Sequence, residues 1–179
     1  IGIVLKVVDQ DGDPAPYPEA RAHSGSSSWW GGGSGGRHGI VSFDLPDGTY
    51  TVTASSREDA FVVVRDGVSA PSSLVLGTEG TVPVTFRGTG LNGETLYRVS
   101  VAPLSESYSC HGFDDRGGDG LVDANVTPMT YHEVHMTDHR STYLFKRSEP
   151  IDAFDLVELD AAKMPVGTLQ LNILGFETS

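Results

Sequence analysis

The order of apolar and polar positions is that of β-strands almost throughout. Val41, Phe43 and Leu45 alternate with Ser42 and Asp44, Pro46-Asp47-Gly48 turns the chain, and Tyr50, Val52 and Ala54 then alternate with Thr49, Thr51 and Thr53. A period of two puts one set of side chains on one face of a pleated strand, so this pattern predicts a half-buried hairpin. Gly48 is expected to take a positive φ at its turn. Residues 3–8 form a β-branched run stopped by the turn formers Asp9-Gln10-Asp11-Gly12-Asp13-Pro14. Further strands are predicted at 61–64, 73–76 and 81–86, at the spacing of about 8–12 residues that sandwiches use. No stretch sustains apolar residues at three-and-four spacing for three turns, and Gly or Pro interrupts most such windows.

Residues 88–95 read as a short linker, after which residues 96–101 restart the alternation. Thr49-Tyr50 finds a loose counterpart in Thr130-Tyr131, and the segments 61–64, 74–76 and 80–84 find theirs in 143–146, 156–159 and 167–171. The pattern predicts a degenerate internal repeat of about ninety residues. The expected fold is therefore all-β, two tandem immunoglobulin-like antiparallel β-sandwich modules at 1–87 and 96–179, against the alternative of one large sandwich.

Charge narrows the partners. Asp and Glu total 24 against 12 Lys and Arg, a net charge of -12, which opposes attraction to nucleic-acid backbones and anionic membranes. No apolar run approaches the ~20 residues of a membrane helix, so membrane insertion is not expected. The single cysteine, Cys110, rules out an internal disulfide framework and a cysteine-based zinc site. The chain opens at Ile1 without a charged-then-apolar signal segment, as expected of a processed or excised piece of a longer protein.

The first module resembles the prealbumin-like (carboxypeptidase regulatory-like) β-sandwich. The resemblance rests on the early β run, the Asp-Gln-Asp-Gly-Asp-Pro turn and the segment from Gly39 to Val52. It covers residues 1–87, and reaches 95–175 only through the repeat. The order of elements also resembles the C-terminal accessory regions of secreted actinobacterial subtilisin-type serine peptidases. The resemblance implies a non-catalytic appendage of a secreted or surface protein. Adhesin members of the wider fold cross-link a strand Lys to an Asn, but here Thr85 and Phe86 close the module without the Asn that Lys6 would need.

Several residue groups invite chemistry. The Gly and Ser run of 24–36 contains G-x-S-x-G and G-x-G-x-x-G matches, but it lacks the strand-turn-helix setting either motif requires. Trp29 and Trp30 stand within it, expected on a mobile loop. Adjacent residues of an extended chain point oppositely, so one indole plugs the sandwich while the other covers it or faces a ligand. With Tyr97 and Tyr108 they form the candidate ligand-binding set for a glycan or a protein pocket.

His132, His135 and His139 suggest zinc. On a strand, however, His132 and His135 face opposite sides, and His135 and His139 lie ~13 Å apart, so that a turn at Thr137-Asp138 would be needed to bring them together on one zinc. They are expected on an exposed strand and its turn. Asp115, Asp119, Gly120 and Asp123 match positions one, five, six and nine of a calcium loop, but Gly117 and Val126 replace two ligand positions. This leaves a weak surface calcium site built from Asp114, Asp115, Asp119 and Asp123, or a solvated Asp-Gly hairpin loop. Asn125-Val126-Thr127 is a glycosylation sequon. No acid-base or nucleophilic set stands out, because triad members need only spatial proximity and many can be composed.

The function expected from the sequence is a non-catalytic extracellular accessory region. Its partner would be the parent enzyme domain or an extracellular polymer, protein or glycan. The alternatives are a carbohydrate-binding module and a surface-fibre subunit that donates residues 1–8 as an edge strand.

Overall fold

The computed structural model describes residues 2–24, 30–103, 112–128, 132–137, 142–147 and 149–163. The first seven strands are β1 (Ile3–Val7), β2 (Glu19–His23), β3 (Trp30–Ser34), β4 (Ile40–Phe43), β5 (Gly48–Ser56), β6 (Phe61–Ala70) and β7 (Ser72–Leu76). A three-stranded sheet ordered β4-β1-β7 packs against the strands β3-β2-β5-β6. Ile3, Leu5, Phe43, Val52 and Phe61 close the core between them, each at an alternating inward position.

The same wiring then recurs. Strands β8 (Val82–Thr89), β9 (Thr95–Leu96), β10 (Arg98–Pro103), β11 (Gly112–Asp114), β12 (Leu121–Val126), β13 (His132–Thr137), β14 (Thr142–Arg147) and β15 (Asp155–Asp160) follow, with a 3-10 turn at Ala161–Lys163. Here β12-β8-β15 covers β11-β10-β13-β14. Strand β1 runs antiparallel to β4 and parallel to β7, and β8 likewise runs antiparallel to β12 and parallel to β15. The row Val41, Leu5, Leu74 across the first small sheet recurs as Val122, Phe86, Val157 across the second. The repeat is thus shorter than the period expected from the sequence. The fold is an all-β double sandwich with two separate hydrophobic cores, one drawn from β1–β7 and the other from Val62 and residues 84–161.

Several expectations are corrected. Residues 88–95 form the tight end of the β8–β9 hairpin, where Gly88 pairs with Leu96 and the Gly90 N–H donates to the Glu94 carbonyl at 2.8 Å. Strand β8 packs into the second core, so the division between the cores falls between β7 and β8. Gly48 opens β5 without a positive φ, and a Cβ there would meet nothing nearer than the Tyr50 ring at 3.5 Å. Pro46 and Asp47 make the reversal, closed by the Tyr50 hydroxyl donating to the Pro46 carbonyl at 2.9 Å.

The Gly-rich run is partly an edge strand, because β3 pairs with β2. Gly35 answers to close packing, since a Cβ there would come within 2.8 Å of Pro18 and 2.9 Å of the Ile40 carbonyl, whereas one on Gly36 would meet nothing within 4 Å. Strand β1 lies in the middle of its sheet with both edges bonded, so it is not the donated edge strand of a fibre. Strand β13, which carries His132 and His135, is paired on both edges, by β10 and β14, and buries Val134 and Met136.

Candidate functional site

The two sandwiches meet at a seam that makes one continuous sheet, ordered β15-β8-β12-β6-β5-β2-β3. Its centre is a short parallel pairing in which Asn125 and Val126 of β12 lie beside Phe61 and Val62 of β6. The Asn125 N–H donates to the Ala60 carbonyl at 2.9 Å and the Thr127 N–H to the Val62 carbonyl at 3.2 Å. The Thr127 hydroxyl accepts from the Val64 N–H at 3.0 Å.

Local sequence explains the junction. Phe61-Val62-Val63-Val64 is an unbroken apolar run rather than an alternating one, as suits a strand buried on both faces. Phe61 and Val63 enter the first core, and Val62, 2% exposed, enters the second. At the rim, the Arg57 guanidinium pairs with Asp114, its Nε at 2.9 Å, while Arg98 Nε lies 3.3 Å from the other carboxylate oxygen. Arg116 donates to the Arg57 carbonyl at 2.6 Å. Thus the turn between β5 and β6 is gripped by the β11–β12 segment.

The proposed calcium ligands are placed as follows. Asp115 turns its carboxylate onto its own loop, accepting from the Gly118 and Gly120 N–H groups at 2.7 Å each. The Gly120 bond, with further backbone donors, holds its carboxyl below the usual carboxylate range. Asp119 accepts from the Leu121 N–H at 3.0 Å, Asp123 accepts from the Thr85 hydroxyl at 2.6 Å, and Asp114 serves the arginines. Among the described residues, no group of three or more His, Cys, Asp or Glu side chains is placed to hold a metal ion.

Of the aromatic set, Tyr97 is half-buried between β9 and β10, and its carbonyl accepts from the Asp115 N–H at 2.7 Å. Trp30 opens β3, while Trp29, Tyr108 and His139 lie outside the described residues.

A feature that sequence reasoning missed stands beside the seam. Phe154 is 86% exposed, with a backbone φ of 64°. It flanks a cleft of about 380 Å³ lined by Ala60, Pro83, Thr85, Asp123 and Asn125 among others. Its N–H donates to the Pro83 carbonyl at 2.7 Å. The Asp152 N–H bonds the Asp155 carboxylate at 3.1 Å and the Asp155 N–H returns to the Asp152 carbonyl at 3.2 Å, which fixes the turn that carries the ring. A separate acidic hollow of about 260 Å³ lies between Asp9, Asp11, Asp59 and Asn125. The Asp-Ala-Phe-Asp sequence gave no periodic signal that a binding ring would stand there.

No protein-family model matches the chain, and no curated protein sequence matches it. Among solved structures, the Bacillus anthracis TIE protein is 10% identical with a TM-score of 0.34. That match covers 89% of this chain and 33% of the other, so this chain spans about a third of that protein's length. A suggested cell adhesion protein from Bacteroides ovatus is 11% identical, with a TM-score of 0.31 and 99% of both chains covered. A variant of the shaft pilin SpaA from Lactobacillus rhamnosus GG is 9% identical, with a TM-score of 0.29 and 95% and 98% of the two chains covered. At such identities and scores, the likeness carries nothing about what this chain does.

Proposed function

We propose that the chain is a non-catalytic interaction region of a larger extracellular protein, two sandwiches locked into one rod that spaces or presents a binding surface. The observation that carries this reading is the junction itself. A flexible tether would leave two sandwiches free to reorient, whereas here backbone hydrogen bonds join the sheets and Val62 is buried in the neighbouring core. Its partner is an attached enzyme domain or an extracellular polymer. A net charge of -12 supports a soluble surface that repels nucleic acid, and no helix among the described residues is long and apolar enough to cross a membrane.

The test is stiffness. Nitroxide labels on Ser73 and Glu158, exposed positions of the two small sheets, should give one narrow distance distribution by pulsed electron resonance. A broad distribution spanning many separations would sink the proposal. So would robust turnover of a peptide, ester or glycoside by the isolated chain, abolished by one point change.

A further inference from the structure

We infer that the cleft beside Phe154 is a saccharide-binding site that seats a single pyranose ring of neutral or amino-substituted character. The first argument is that the ring's placement works against stability. An aromatic side chain left 86% in water forgoes the burial that normally rewards it. A left-handed backbone at a non-glycine residue adds a further cost. The fold does not demand either. Ser72 pairs with Ile3 in the first sandwich as Asp155 pairs with Val84 in the second, so Pro71 occupies the position of Phe154 and no aromatic stands there. The surrounding bonds to Pro83, Asp152 and Asp155 nonetheless hold the exposed conformation.

The second argument is the chemistry of the cleft. A pyranose offers an apolar face of C–H groups and a rim of hydroxyls. Phe154 and Pro83 supply an apolar wall on which that face can stack. Asp123, already oriented by the Thr85 hydroxyl at 2.6 Å, supplies a hydroxyl acceptor, and the Asn125 amide supplies both donor and acceptor. The volume of about 380 Å³ lies at the small end of the roughly 300–1,000 Å³ of ligand sites, which suits one ring better than an extended oligomer. The Asp123 carboxylate, on a chain of net charge -12, disfavours uronic or sulfated sugars. Ala60 comes from the first sandwich and the remaining lining from the second, so a bound sugar would bridge the seam. This inference stands on the cleft alone, and it holds or fails independently of the stiffness test above.

The experiment is a titration of the isotope-labelled full chain, followed by amide chemical shifts. The probes are neutral oligosaccharides of glucose, mannose, galactose and N-acetylglucosamine, a glucosamine oligomer, and a galacturonate oligomer as charge control. At least one neutral or amino saccharide should shift the amides of Ala60, Thr85, Asp123, Asn125 and Phe154, and galacturonate should not. Phe154→Asn is the decisive variant, because Asn tolerates the left-handed backbone and keeps the fold. It should weaken binding at least tenfold without lowering the melting temperature, whereas Trp30→Ala should leave the affinity unchanged. The inference is overturned if no saccharide moves these amides, if Phe154→Asn binds like the wild type, or if a peptide library moves them where no saccharide does.

Discussion

Apart from the short β8–β9 hairpin, the two sandwiches share one order of strand pairings but fill their interiors differently. In the first, the cross-strand row Gly33, Ala20, Ala54 lines the large sheet with little more than backbone, and Phe43 supplies bulk from the small sheet opposite. In the second, the row Phe113, Val99, Met136 makes the large sheet bulky, and Ala124 takes the place that Phe43 holds in the first. Volume has been moved from one wall of the sandwich to the other while the topology stayed the same. What the comparison teaches is that inward-outward alternation and strand register specify this fold, and that any packing of suitable total volume satisfies it.

The largest test of that comparison lies in the matched core positions Leu5 and Phe86, both fully buried. Phe86→Ala should cost about 3–5 kcal/mol and Leu5→Ala about 2–5 kcal/mol. Hydrogen exchange should show each loss concentrated in its own sandwich. Equal loss of protection in both would mean that the two cores are one cooperative unit.

Smaller but sharper is a glycine contrast. Gly35→Ala must displace Pro18 or the Ile40 backbone and should destabilise the first sandwich by about 1–3 kcal/mol. At Gly48 a Cβ would make only ordinary contact with the Tyr50 ring at 3.5 Å, so Gly48→Val should stay within about 0.5 kcal/mol. A melting-temperature ranking in the reverse order would refute the close-packing account of the Gly-rich strand.

The seam comes next. Thr127→Val removes the acceptor of the Val64 N–H, an expected loss of about 1–3 kcal/mol, and it should broaden the label distances between the sandwiches. Arg57→Ala removes only a largely exposed ion pair with Asp114, so about 0–1 kcal/mol is expected, fading as salt is added. If Arg57→Ala loosens the seam more than Thr127→Val does, charge rather than strand pairing holds it together.

The smallest effect is one of pH. The folded pKa of Asp115 is lowered, so the stability it contributes is complete above its unfolded pKa of about 3.9. That contribution is lost as pH falls through the folded value. Following the Gly118 and Gly120 amides during acid titration should show their loop loosening only in that window. In Asp115→Asn the window should vanish, and a loop that melts identically in both proteins would contradict the assignment.

Much of the fold was legible because alternation is a local property. The hairpin around Pro46, the run at residues 3–8 and the restart near residue 96 all appear as strands where periodicity predicted them. The Gly-rich run was misread, since nothing local shows that Pro18 and β4 crowd against it. The junction left a trace in the non-alternating Phe61-Val62-Val63-Val64, but its partner Thr127 looked like half of a sequon. The aspartates of the 114–123 loop matched a ligand spacing, while the protein donor that each carboxylate meets, from the Arg57 and Arg98 side chains to the Gly118 and Gly120 amides, was not legible in that spacing.

By itself, the sequence determined the all-β class, the acidic and helix-poor character, and the existence of a loose repeat, because composition and period-two patterning act between near neighbours in the chain. Only the tertiary structure decided that β12 joins β6, that Val62 belongs to the second core, and that Phe154 stands over a cleft with Asp123 and Asn125. Those outcomes bring together residues from about thirty to more than sixty positions apart, and the β12–β6 pairing is made by backbone hydrogen bonds that are open to almost any residue type. The residues involved therefore left almost no mark in the sequence.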